Sequence, residues 1–156
     1  MKKKANKRKD KALKYLINYF SKVKEDVVIV FYGDHMPSIE TDLFECDEPT
    51  RFKIPFFVWA NYDIEEQENV ETSINYLSNY IFDITSIEED PYHRFLDDMD
   101  EIIPSMNSYW YYSNEKGQYI KYDQASGIEK EWLDKYNILQ YNYLFSRNKS
   151  EIFFNK

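Results

Sequence analysis

A chain of 156 residues is long enough for one domain with a single core and too short for two ordinary ones. With 43% hydrophobic and 31% charged residues, 19% aromatics and only 3 Gly, it is neither disordered nor low-complexity. One cysteine, Cys46, excludes a disulfide framework or a zinc site of paired thiolates, and two histidines, His35 and His93, exclude a multi-histidine cage.

The net charge of -8 is unevenly spread: Met1 to Lys14 hold eight Lys/Arg against one acid, Asp10. The remainder is strongly acidic and repels phosphate backbones, so no nucleic-acid partner is expected. Residues 1–9 read as a solvated basic extension, with contact to anionic lipid or nucleic acid as the alternative. No apolar run reaches the ~18 residues of a membrane span, and the basic start leads into an amphipathic segment rather than a signal-peptide core.

Asp10 to Val23 reads as an amphipathic helix, with Leu13, Leu16, Ile17 and Phe20 on one face. The run Val27-Val28-Ile29-Val30-Phe31-Tyr32 lacks alternation and predicts a strand buried on both faces, as in the middle of a parallel sheet. It exits into Gly33-Asp34-His35-Met36-Pro37. Asp42 to Arg51 reads as an acidic loop, and Pro55 to Ala60 as a second buried strand, with Trp59 in the core. Val70, Ile74, Leu77 and Ile81 predict a second helix. Pro91 ends it, and Phe95, Leu96, Met99 and Ile103 predict a third. Tyr109 to Tyr112 and Gln118 to Tyr122 flank a turn with Asn114 and Gly117, a β-hairpin. A last helix is expected over Glu129 to Leu139, followed by the aromatic tail Tyr141, Tyr143, Leu144 and Phe145. Two buried strands do not make a complete sheet, so the rest must come from elsewhere.

The strongest chemical signal is Gly33-Asp34-His35 at the end of the first strand. Ligands of open α/β sheets bind at the carboxyl ends of strands. A glycine permits a tight exit, and a carboxylate beside an imidazole suits Mn²⁺ or Zn²⁺. His93 reads as a helix-start residue that caps or faces solvent. Asp97-Asp98 reads as a charged helix face with no second acid to complete a pair. The aromatic hairpin around Trp110 reads as a layer packed on the domain, with sugar stacking as its functional alternative.

Phe31-Tyr32-Gly33-Asp34-His35-Met36-Pro37 resembles the metal-binding "GDH" loop of the alkaline phosphatase superfamily, specifically of the sulfatase-like lipoteichoic acid synthases. Asp10-Lys11-Ala12-Leu13 is similar to the start of that family's preceding helix, and Pro55 to Tyr62 to its next strand. Ser73-Ile74-Asn75-Tyr76-Leu77, Pro91-Tyr92-His93-Arg94-Phe95-Leu96 and Leu139-Gln140-Tyr141 resemble later segments in the same order. The resemblance runs from Asp10 to Phe145.

The resemblance implies an α/β fold: a partial sulfatase/alkaline-phosphatase-like sheet flanked by helices, with a C-terminal β-hairpin and helix. Residues 10–145 would be the carboxyl-terminal part of the catalytic domain, and 146–156 a tail. It implies a metal-dependent phosphoglycerol transferase of cell-envelope polymer synthesis, plasma-membrane anchored with an extracellular catalytic domain. That family uses phosphatidylglycerol and a covalent intermediate on a metal-bound threonine. Asp34 and His35 would be two metal ligands, for Mn²⁺ by resemblance, with Zn²⁺ or Mg²⁺ as alternatives. The family's nucleophile lies well upstream of the GDH loop, and here the residues before Asp34 include no threonine. No catalytic residue is therefore expected in this chain, which would carry half a metal site. Its partners would be an upstream half of the same enzyme, if separately encoded, and a lipid-linked phosphoglycerol substrate. The alternatives are a non-catalytic remnant or interaction module, or part of a hydrolase for another phosphate or sulfate ester. A sulfatase formylglycine at Cys46 is excluded, because Cys46-Asp47-Glu48-Pro49-Thr50-Arg51 has one residue too many and follows the GDH loop.

Overall fold

The computed structural model describes residues 2–34, 52–65 and 67–154. The chain divides into two compact units, Met1–Glu65 and Glu66–Lys156. Both mix helix and strand, and the α/β class expected from the sequence is what is found.

The first unit opens with helix α1, Lys2–Phe20. It starts earlier than the apolar periodicity indicates, because the Lys, Ala and Arg residues before Asp10 favour helix and include no Gly or Pro. Leu13, Leu16, Ile17 and Phe20 are half-buried on one face, while Lys11, Lys14, Tyr15 and Tyr19 are exposed. Strands β1, Val28–Tyr32, and β2, Phe56–Ala60, form at the predicted positions. Their pairing corrects the expectation of a parallel arrangement: they run antiparallel, from Val28↔Ala60 to Tyr32↔Phe56. An apolar run without alternation reports apolar faces on both sides but carries no strand direction. Nor is either strand fully buried here; Tyr32 remains 59% exposed, and the stacked rings of Phe31 and Phe57, 4.6 Å apart, lie on one face of the pair.

Asn61 fastens the far end of this pair. Its Oδ1 accepts from the Val27 N–H at 2.8 Å, and its own N–H donates to the Val27 carbonyl at 3.1 Å. Its Nδ2 donates to the carbonyls of Phe20, Val23 and Glu25 at 3.3, 3.1 and 2.9 Å. One amide thus ties the end of α1, the connecting turn and β1 to the end of β2.

The second unit contains helices α2, Leu77–Thr85, and α3, Pro91–Asp100, then strands β3, Ser105–Met106, β4, Trp110–Ser113, and β5, Gln118–Lys121. A 3-10 turn, Tyr122–Gln124, leads to α4, Gly127–Phe145, and α5, Glu151–Phe154. The β4–β5 hairpin matches the expected one. Gly117 takes φ 63° in its turn and donates to the Ser113 carbonyl at 2.8 Å, a left-handed position where glycine carries no Cβ penalty. β3 adds a third antiparallel strand, too short to leave a periodic signature.

The second helix begins at Leu77 rather than Val70. Ser73 donates to the Met106 carbonyl at 3.1 Å and Asn75 donates to the Tyr136 hydroxyl, so short polar side chains hold residues 73–76 in a turn. α3 starts as read, with Pro91 at its first position and Asp90 capping the Tyr92 and His93 amides at 2.9 Å each. α4 runs on through Tyr141 to Phe145, correcting the expected aromatic tail, although those side chains stay exposed. The core gathers Tyr76, Leu96, Met99, Ile103, Tyr111 and Leu133, with Met106, Ile120 and Tyr136 completing it.

Candidate metal centre

β1 carries the chain to Gly33 and Asp34. The Gly33 N–H donates to the Pro55 carbonyl at 3.0 Å, so the pairing with the second strand continues past the strand's last residue. A Cβ on Gly33 would lie 3.3 Å from the Ile54 Cβ and 3.6 Å from the Pro55 Cδ. A side chain there would crowd the neighbouring segment, which would have to give by a few tenths of an ångström. Its φ is outside the left-handed region, and the chain beyond Asp34, where a tight exit is expected, lies outside the described residues.

Asp34 is exposed at the carboxyl end of β1, the place where α/β folds present ligand-binding groups. Its carboxylate is a hard oxygen donor of the type that Mn²⁺ or Mg²⁺ takes. His35 lies outside the described residues, as do Cys46 and the rest of the loop to Arg51. Among the described residues no three His, Cys, Asp or Glu side chains gather into a metal-holding group. Asp34 fits a divalent cation as a single ligand, and a complete site needs donors beyond it.

The Sulfatase family model matches residues 4–87, just over half of the chain. The chain belongs to the sulfatase family. The matched stretch includes β1, the Gly33-Asp34 exit and β2. Among solved structures, the Streptococcus pyogenes phosphoglycerol transferase GacH, in complex with sn-glycerol-1-phosphate, is similar with a TM-score of 0.60 and 19% identity. The likeness covers 86% of this chain and 31% of that one, so this sulfatase-family chain spans about a third of its neighbour's length. No curated protein matches. Divalent metal is general in the sulfatase family, which agrees with the donor type of Asp34. No helix among the described residues is long and apolar enough to cross a membrane.

Trp59, expected in the core, is only half-buried on β2 and lies outside the core cluster, while His93, Asp97 and Trp110 fall in the second unit. His93 sits at the start of α3, its Nδ1 2.9 Å from the Asp90 carboxylate and its ring against Phe82 at 4.5 Å. Burial would raise the Asp90 pKa, but the His93 and Tyr92 amides and the His93 ring outweigh it, holding the carboxyl below its ordinary value. Trp110 lies on the half-exposed face of the hairpin with the Lys121 ammonium 4.9 Å above its ring, and Tyr112 meets Tyr119 edge-on.

The fold brings to Asp97 a second acid, Glu89, that the sequence does not position there. The Glu89 carboxyl is hydrogen-bonded to that of Asp97, and this bond, with burial and the Asp97 and Asp83 charges, raises Glu89 to about 7. Asn79, 3% exposed, sends its Nδ2 to Asp97 at 2.7 Å, to the His93 carbonyl at 2.7 Å and to Glu89 at 3.4 Å. Glu89 precedes the helix cap, so helical spacing could not reveal this contact.

A second buried polar group was also invisible to pattern reading. Glu129, 1% exposed, accepts from the Ser113 hydroxyl and pairs with Lys116 at 2.7 Å. Burial acts to raise its pKa, but the Lys116 and Ser113 hydrogen bonds prevail and keep it ionised.

Proposed function

We propose that this chain forms the carboxyl-terminal, metal-loop part of a phosphoglycerol transferase-like catalytic domain, with Asp34 and His35 as two ligands of Mn²⁺, or of Zn²⁺ or Mg²⁺. The observation that carries this reading is the seating of Gly33 and Asp34 at the carboxyl end of β1, within the stretch matched by the Sulfatase family. The likeness to a phosphoglycerol transferase over 86% of the chain supports it. A divalent ion there would neutralise phosphate charge and acidify a coordinated hydroxyl. That hydroxyl would come from a threonine outside this chain, in the remaining part of the domain, and the substrate would be a lipid-linked phosphoglycerol at the outer membrane surface. Two ligands completed by water bind a metal weakly, because half the charge and preorganisation is missing.

The test is calorimetry with Mn²⁺ alongside turnover of a fluorescent phosphatidylglycerol analogue. Expected are weak Mn²⁺ binding, lost in Asp34→Ala and in His35→Ala, and no turnover by the chain alone. Binding unchanged in both variants would overturn the ligand assignment. Metal-dependent turnover abolished by Asp34→Ala would show instead that the nucleophile lies within these residues.

A further inference from the structure

The ligands proposed above, Asp34 and His35, lie outside α1, whose outer face combines charge and aromatic side chains. Lys11, Lys14, Tyr15 and Tyr19 are exposed along this face, with Lys22 exposed just beyond the helix end; Tyr15 is 74% and Tyr19 59% exposed. Spacings of three and four residues bring these positions together, away from the half-buried Leu13, Leu16, Ile17 and Phe20. Toward its amino end the same helix adds Lys2, Lys3, Lys4, Lys7, Arg8 and Lys9 to the sequence, against the single acid Asp10.

We propose that this face of α1 docks on an anionic lipid bilayer, with the lysines against the head groups and Tyr15 and Tyr19 at head-group depth. Charge complementarity selects an anionic partner. The aromatic pair selects lipid over nucleic acid, because tyrosine presents an apolar ring and a polar tip suited to the membrane–water boundary. The acidic remainder of the chain is repelled by the same surface, which turns the basic helix toward it. The helix's apolar face is half-buried, so attachment is peripheral, reversible and salt-sensitive rather than a deep insertion.

Co-sedimentation of the full chain with vesicles tests this. Partition into phosphatidylcholine vesicles containing one part in three phosphatidylglycerol should exceed partition into pure phosphatidylcholine by about tenfold or more. It should vanish near ~0.5 M NaCl, where the screening length falls to about 4 Å. Lys11→Glu with Lys14→Glu should abolish the preference, and Tyr15→Ser with Tyr19→Ser should weaken binding severalfold. All four side chains are exposed, so circular dichroism should match the parent, and Asp34→Ala should bind vesicles unchanged. Equal partition into the two vesicle types overturns the proposal. So does undiminished binding by the tyrosine variant, or tighter binding to a DNA oligonucleotide than to phosphatidylglycerol vesicles.

Discussion

The two units divide the work in opposite ways. Every buried hydrophobic residue among those described lies between Tyr76 and Leu139, in the second unit, while the strand pair bearing Asp34 contains none. The second unit encloses a core of its own, in which the buried Glu129 is matched to Lys116 and Ser113. The first is held by hydrogen bonds at its two ends, at Asn61 and at Gly33, with apolar strand faces only half covered. The strand exit at Asp34 and the enclosed core sit in different units.

Truncating the two units at equivalent apolar positions is the sharpest way to break this contrast. Leu96→Ala or Ile103→Ala in the second unit should cost about 2–5 kcal/mol, as for fully enclosed side chains. Val30→Ala in the first, from a half-buried site, should cost about 1 kcal/mol. Native-state hydrogen exchange, read separately over β1–β2 and over α3–α4, resolves the two. Equal costs would mean that the first unit is as well enclosed as the second.

Next in size is Asn61→Ala, which strips several backbone groups of their partner. A loss of about 1–3 kcal/mol is expected, confined to the first unit. Protection of the Val27 and Val28 amides reports it; unchanged protection there would remove Asn61 from its role as fastener.

Acidity separates the units as well. Glu89, raised to about 7 from 4.5, and Asp100, raised by burial and the Asp97 charge to about 6 from 3.8, hold protons in the folded chain that the unfolded chain has released. Their contribution is complete below the ordinary carboxylate range and disappears as the pH rises to about 7. Asp90 and Glu129, held below their ordinary values, act oppositely and lose their contribution in stronger acid. Urea midpoints of the second unit should therefore fall between pH 5 and 7.5, and Glu89→Gln should flatten that slope. A slope untouched by Glu89→Gln would place the proton elsewhere.

The smallest effect concerns Ser86, which ends α2 at φ 54° while its amide donates to the Asp83 carbonyl. Ser86→Gly relieves the left-handed strain of a residue with a Cβ and should raise stability by about 0.5–1 kcal/mol. A thermal melt that moves down instead would show that the side chain contributes.

What could be read ahead of the structure followed from periodicity and punctuation. β1, β2, α3 and the hairpin were legible because β-branched runs, Pro91 and the Asn114–Gly117 turn each act locally. Strand direction was not, because Val27 to Tyr32 looks alike to a neighbour running either way. The delayed start of α2 depended on Ser73 and Asn75 reaching Met106 and Tyr136, far along the chain. The place of Asp34 at the carboxyl end of β1 could be read from the apolar run that precedes it. The Glu89–Asp97 and Lys116–Glu129 pairs could not, since both join residues whose proximity only the fold creates.

The two fasteners of the strand pair also set where the chain tolerates a change of length. Residues added between Asp34 and Ile54 leave the Gly33–Pro55 and Asn61–Val27 contacts in register. A single residue added between Phe56 and Asn61 would send every later side chain of β2 to the opposite face. The pair is thus a socket of fixed gauge, into which loops of different length, carrying different donors, can be fitted without recutting the frame.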